Sequence, residues 1–344
     1  MRKDELRIML VSQFYPEVGG IQSWAHGYIE YCKENNIPLF CVDSSLLGRR
    51  GIDSNDRINI FDELKRSVSI WKNIKKGIVE FKPNVVHFNS ACSPKGLIRD
   101  LISINILVKR EINIVFHCHC NISDQINRSK LGLYCLNKIV SKVNKVLVLN
   151  KTSKDFVYDS CNKEALQVPN YIDESIIENN KEIRENIETI LFVGHIRRTK
   201  GIQEILNVSK EFPDIKFRLV GPIIEKDLLS NLPNVIFVGP LSHDEVLKEM
   251  ENADLFVFPS YTEGFSVSIL EAMAKGLPVI ATDVGANKET LEDCGVIANL
   301  DDLAVQINKL NSKTTREEMS KVSIMRVKKN YTGTKVLRRI MEVY

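Results

Sequence analysis

Apolar positions along this chain fall into two alternating kinds of segment. Short, nearly continuous β-branched and aromatic runs occur at 6–11, 39–42, 85–88, 112–116 and 146–149, and again at 189–193, 217–220, 235–238, 255–258 and 278–281. Between them lie longer stretches in which apolar residues recur at helical spacing. Runs apolar at every position suit strands buried on both faces, and strand–helix alternation predicts parallel sheets with right-handed crossovers. The series pauses at a polar stretch between about 170 and 188 and then restarts. This predicts an α/β protein of two Rossmann-like, doubly wound domains facing each other across a cleft, with ligands beyond the carboxyl ends of the strands. The expected parts are an N-terminal domain over 1–175 and a second domain over 186–320.

Composition narrows the class. The chain has 344 residues, 44% hydrophobic and 26% charged, which suits a globular protein large enough to need no disulfide or metal support. Its eight cysteines are irregularly spaced and without a CxxC, so they are expected to be reduced thiols of a cytoplasmic protein. No run approaches the roughly 18 apolar residues of a spanning helix. There is no GxGxxG, no GxxxxGK[ST], no HExxH and no pair of aspartates at i, i+2. Dinucleotide, P-loop and zincin readings lose support, as does a metal–nucleotide DxD site.

The densest chemistry lies between Asp254 and Pro278. A strand ends at Phe258, Pro259 and Gly264 break the chain, and a helix is expected from about Phe265 to Gly276. The amides of Gly264, Phe265, Ser266 and Val267 would then stand at a helix N-terminus beyond a strand end, a favourable place for a diphosphate. Glu263 and Glu271 flank it. Carboxylates do not attract phosphate, but they accept hydrogen bonds from sugar hydroxyls. An isolated Glu is ordinarily a solvated surface acid. Glu271 departs from that pattern because Ile269, Leu270, Ala272, Met273 and Ala274 surround it in sequence.

This block, Pro259-Ser260 through Glu263-Gly264-Phe265-Ser266 and Glu271-Ala272-Met273-Ala274 to Pro278-Val279-Ile280-Ala281-Thr282-Asp283, resembles the signature of family 4 retaining glycosyltransferases of the GT-B fold. The resemblance implies that Glu263 contacts the donor sugar and that Glu271 holds the ribose hydroxyls. The stretch Gly194-His195-Ile196-Arg197-Arg198-Thr199-Lys200-Gly201 resembles the element whose Arg and Lys neutralise the departing diphosphate. Lys200 matches the Lys, whereas His195 stands where the family has Arg, with Arg197 and Arg198 as the other cations at hand. Gly19-Gly20 resembles the glycine loop near the donor phosphate and acceptor. His119, at the end of His117-Cys118-His119-Cys120, matches a histidine near the transferred sugar, with Cys120 departing from the pattern. Alternation places His117 and His119 on one strand face and the two cysteines on the other. Val168-Pro169-Asn170-Tyr171-Ile172-Asp173 resembles the inter-domain segment, with Tyr171 in place of Gly, and the stretch from Lys328 to Tyr344 resembles the family's C-terminal helix, which implies a helix over 321–344 that crosses back to the first domain.

The resemblance implies a metal-independent hexosyltransferase with no cofactor beyond its nucleotide-sugar co-substrate. Its acceptor would be a glycan or polyprenyl-linked saccharide in the synthesis of capsule, O-antigen or exopolysaccharide. A nucleotide-sugar 2-epimerase of the same fold and a non-catalytic sugar-nucleotide-binding protein are the rival readings. Residues 64–110 hold ten Lys or Arg against two acids, and 125–154 hold seven and none. Ile70, Trp71, Ile74 and Ile78 form an amphipathic pattern that suits either a core-facing helix or a lipid-facing one; the resemblance, whose family has many members that extend lipid-linked glycans at the inner leaflet, implies a protein peripheral on an anionic inner membrane face. No nucleic-acid motif accompanies the charge.

Overall fold

The computed structural model describes residues 6–14, 19–45, 60–126 and 128–344. They form two compact units, Met1–Asn170 together with Gly333–Tyr344, and Tyr171–Thr332. The first runs β1 (Ile8–Ser12), α1 (Gly20–Glu34), β2 (Leu39–Asp43), α2 (Ile60–Glu80), β3 (Val85–Ser90), α3 (Pro94–Leu107), β4 (Asn113–Cys118), α4 (Ile122–Ile126), α5 (Lys130–Val140), β5 (Lys145–Val148), α6 (Lys151–Cys161) and β6 (Leu166–Gln167). The second runs β7 (Thr189–Val193), α7 (Ile202–Ser209), β8 (Lys216–Val220), β9 (Val235–Gly239), α8 (His243–Asn252), β10 (Leu255–Phe258), α9 (Val267–Ala274), β11 (Val279–Ala281), α10 (Asn287–Leu291), β12 (Val296–Ile297), α11 (Leu303–Lys309) and α12 (Lys313–Asn330). A final helix, α13 (Gly333–Val343), returns to the first unit.

Each unit holds a six-stranded parallel sheet, ordered β2-β1-β3-β4-β5-β6 in the first and β12-β11-β10-β7-β8-β9 in the second. The strand order reverses between β1 and β3 in one sheet and between β7 and β10 in the other. Such reversals open a crevice at the strands' carboxyl ends. Every residue of β1, β3 and β10 is buried, the consequence of helices packed on both sheet faces.

Two expectations change. The division falls between Asn170 and Tyr171, and the anticipated crossing helix over 321–344 is two helices. Tyr331 ends α12, where its carbonyl accepts from Ile172 N (3.0 Å), and Gly333 opens α13. Only α13 leaves the second unit. The apolar face of α2 is also spoken for: Ile70 and Ile74 are fully buried in the first core and Ile78 packs against it, so that stripe serves the sheet and is not a lipid-facing surface.

Candidate functional site

In the second unit the reversal point brings together two loops that are distant in sequence. Gly194 follows β7, its N–H bonded to Val220 O (2.9 Å), and a single 3-10 turn over Arg198–Lys200 leads into α7. Pro259 follows β10. Tyr261 N donates to Thr199 O (3.0 Å), and Ser260 Oγ donates to the same carbonyl (3.3 Å). Gly201 makes this closeness sterically feasible. Its φ is +73°, and a Cβ there would lie 2.0 Å from Pro259 O. Gly285 does the same for the other wall, with φ +57° and a Cβ position 2.3 Å from Glu263 O.

Held by these loops, Lys200 Nζ forms an ion pair with Glu263 Oε1, both side chains being largely buried. The ammonium also lies 5.5 Å from the centre of the Phe258 ring. Glu263 therefore has a cation as its direct partner, which its sequence neighbours did not indicate. Gly264, Phe265 and Ser266 lead into α9, whose first residue is Val267, and Ser266 Oγ caps it by accepting from Ile269 N (3.3 Å). Glu271 lies in the second turn of α9 and accepts from His243 Nε2 (2.8 Å) at the start of α8.

The cations near Lys200 divide. His195 is partly solvent-exposed, yet burial, reinforced by Arg197 and Lys200 nearby, pushes its imidazole below the usual value and leaves it mostly neutral at pH 7. It does not replace a permanent Arg charge. Arg198 is engaged by Glu225 (3.3 Å) and Asp227 (2.6 Å). Arg197 has a buried Nε with no hydrogen-bond partner.

In the first unit, Gly19 precedes α1 and Gly20 opens it; the residues 15–18 of the same loop lie outside the described residues. Asn89 of β3 bridges the reversal point there through Nδ2 to Ser12 Oγ of β1 (3.0 Å), and its Oδ1 faces His119 Nε2 at 3.0 Å. His117 and His119 share a face, rings 4.0 Å apart. Trp24 stacks on the neighbouring His87 at 5.0 Å and meets His117 and His119 edge-on. Cys118 and Cys120 point the other way, into the hydrophobic core with Cys92. Among the described residues no three His, Cys, Asp or Glu side chains are grouped to hold a metal ion.

Comparison with known proteins bears on what these sites do. Residues 173–324 match the family model of glycosyl transferases group 1. Over that stretch the chain is similar to group 1 glycosyl transferases. Its relatives agree over most of its length: it is 25% identical to an uncharacterized glycosyltransferase of Methanocaldococcus jannaschii, covering 98% of each chain. It is also 25% identical to the capsular polysaccharide biosynthesis glycosyltransferase CapM of Staphylococcus aureus, covering 92% of each. In fold, the chain superposes on sucrose-phosphate synthase of Thermosynechococcus elongatus with a TM-score of 0.80 (17% identity; 99% and 98% of the two chains). Anabaena HepE, solved with UDP and glucose, gives 0.73 (16% identity; 98% and 99%). The fold is GT-B.

Several residues at these sites left no sequence signal. His243 meets Glu271 across 28 positions, and His87 meets its partners His117 and Tyr344 across 30 and 257. His87 sits in a strand whose apolar neighbours read as core, and Tyr344 lies at the end of an ordinary amphipathic helix. Only the fold makes these pairs neighbours.

Proposed function

We propose that this glycosyltransferase moves a hexose-type sugar from a nucleotide-sugar donor, with retention of anomeric configuration, to a glycan or polyprenyl-linked acceptor in surface polysaccharide synthesis. The observation that carries the reading is the Lys200–Glu263 pair at the strand reversal of the second unit, beside the N-terminus of α9, the helix that carries Glu271. HepE's complexes with UDP and with UDP-glucose support a uridine donor, and CapM's name supports a capsular setting.

In this reading the ribose hydroxyls bond to Glu271 in place of His243, and Glu263 accepts from a sugar hydroxyl. Lys200 and the amides of Gly264 to Val267 meet the diphosphate. The bond from the anomeric carbon to the diphosphate oxygen breaks with its electron pair going to the diphosphate. The acceptor oxygen forms its bond to that carbon on the same face, and its proton passes to the departing phosphate. Fixed positive charge where negative charge develops is the main source of acceleration, and no metal ion is required. His119 keeps the role near the transferred sugar that the family resemblance implies.

The acceptor's lipid would bring the enzyme to a membrane surface. The exposed apolar residues Ile98 and Ile102 of α3 and Leu131 and Tyr134 of α5, helices that pack side by side and also carry the exposed Lys95, Lys130 and Lys138, would supply such a surface. Each basic residue there contributes about 1 kcal/mol to anionic lipid binding, screened within roughly 8 Å at physiological salt. Sedimentation with anionic vesicles at low salt, and not with neutral ones, is expected; equal binding to neither points to a soluble acceptor.

The function itself is tested by incubating the purified protein with a panel of nucleotide sugars and following nucleoside diphosphate release, with and without EDTA. Acceptor-dependent release that survives EDTA supports the reading. Interconversion of nucleotide sugars without acceptor indicates an epimerase, and donor binding without turnover a non-catalytic protein.

A further inference from the structure

Both carboxylates of the second unit's candidate site are already partnered within the protein, Glu263 by Lys200 and Glu271 by His243. Of these two partner types, only histidine has an ordinary pKa in the neutral range. His243 is the first residue of α8, and its Nε2 lies 2.8 Å from Glu271 Oε1 in the second turn of α9. The Glu271 side chain is 13% exposed and that of His243 58%. A mostly buried carboxylate is thus met by a ring that is itself open to solvent. The nearby Glu245 is committed elsewhere: it accepts from Ser242 N (2.8 Å) and Ser242 Oγ (2.6 Å) in the cap of α8.

The charge on the ring depends on the contact with Glu271. That hydrogen bond raises the imidazole above its usual value against the opposing effect of partial burial. The charge of Glu271 adds to it, followed by Asp244 of α8 and by Asp173, just ahead of the 3-10 turn Glu174–Ile176. The position works the other way, because the N-terminus of a helix disfavours a cation. Below its raised pKa the ring is an imidazolium, and its bond to Glu271 joins two charged groups. Above it the same bond comes from a neutral N–H and is weaker. A ribose brings two adjacent hydroxyls, each able to donate to a carboxylate. They displace the neutral ring more readily than the charged one. Once displaced, the imidazole has lost its principal carboxylate and keeps the unfavourable helix end, so it holds a proton less tightly.

We propose that His243 guards the donor site: in the donor-free protein it occupies Glu271, and the ribose of the nucleotide sugar displaces it with release of a proton. Donor capture then weakens as pH falls. The sign follows from reciprocity, since a ligand that lowers a group's proton affinity is itself bound more weakly, by the same factor, when that group is protonated. The diphosphate of a nucleotide sugar is esterified at both ends and has no proton to lose near neutral pH, so the released proton comes from the protein. The displacement rests on the ribose contact of Glu271 given under Proposed function; the pairing in the donor-free protein does not.

Two measurements test this. In the donor-free protein, the His243 imidazole is titrated by NMR in wild type and in Glu271→Gln, which keeps the side chain's shape and removes its charge. The His243 pKa should fall in the variant, and an unchanged pKa overturns the proposal. Calorimetric titration with each nucleotide sugar of the panel, UDP-glucose first, in buffers of different ionisation enthalpy, should show release of at most about one proton per donor. The donor Kd should rise by up to about tenfold for each pH unit lowered through the window in which His243 titrates. His243→Gln offers an N–H without a titrating charge, and its Kd should be flat over that window. Proton uptake, a wild-type Kd indifferent to pH, or a His243→Gln protein with the wild-type pH dependence overturns the proposal. Failure of every nucleotide sugar to bind contradicts the reading under Proposed function and overturns the displacement with it, whereas the NMR titration still decides the pairing.

Discussion

His243 Nε2 sits 2.8 Å from Glu271 Oε1 and so joins the first residue of α8 to the second turn of α9. The hydrogen bond to Glu271 holds the imidazole above its usual value. The folded pKa therefore exceeds the unfolded one, near 6.5. The pair's stabilisation is complete below that unfolded value and is lost as pH rises through the folded one. Because His243 is more than half exposed, the effect is less than about 1 kcal/mol. Thermal unfolding of wild type and His243→Asn should converge as pH rises past this window and separate below it. A gap that widens with pH contradicts the assignment.

The buried histidines act in the opposite direction. His87, His117 and His119 resist protonation in the fold, whereas the unfolded chain binds protons at all three below about pH 6.5. Their stabilisation is present above that pH and is lost as pH falls toward their depressed folded values. Denaturant titrations of wild type and His87→Phe between neutral and mildly acidic pH should show a shallower acid loss in the variant. Parallel curves would mean that His87 is not held neutral.

Much of this architecture was legible because burial on two faces writes itself as unbroken apolar runs. The runs at 189–193 and 255–258 coincide with β7 and β10, and the others lie within two residues of observed strands. β6 and β12, two residues each, are too short to leave a run. The start of α9 was readable from its turn residues, and Gly276 takes a φ of +66° at its end. The charge balance of the site was not legible. That Lys200 pairs with Glu263, that Arg198 is taken by Glu225 and Asp227, and that Ile70 and Ile74 face a core depend on partners brought in from other strands.

Under the proposed function, Lys200→Ala should lower kcat/KM by on the order of 100-fold or more, since it removes the charge proposed to face the departing diphosphate. It should also lower the melting temperature, because the largely buried Glu263 is left without its cation, so the rate is compared at a temperature where the variant is folded. His195→Arg should raise activity by restoring a permanent cation, and Arg197→Ala should lower it. Steady-state kinetics on the matched donor decide. An unaffected Lys200→Ala alongside an inactive His195→Ala would move the cation to His195.

Gly201→Ala tests the closeness of the two loops. The methyl group would meet Pro259 O, and the left-handed φ of +73° alone costs about 1 to 3 kcal/mol. The variant should unfold at lower temperature and lose turnover as Lys200 and Glu263 separate. A melting temperature and rate equal to wild type would show that the loops are not in van der Waals contact.

The central claim is that the second unit binds a nucleotide sugar through Glu271 and Lys200 for transfer. The most direct measurement is nucleoside diphosphate release by folded wild type and Glu271→Ala, side by side on the donor that wild type prefers. Loss of the ribose contacts should cost about 2 to 4 kcal/mol in kcat/KM. Turnover by Glu271→Ala at the wild-type rate would contradict the account.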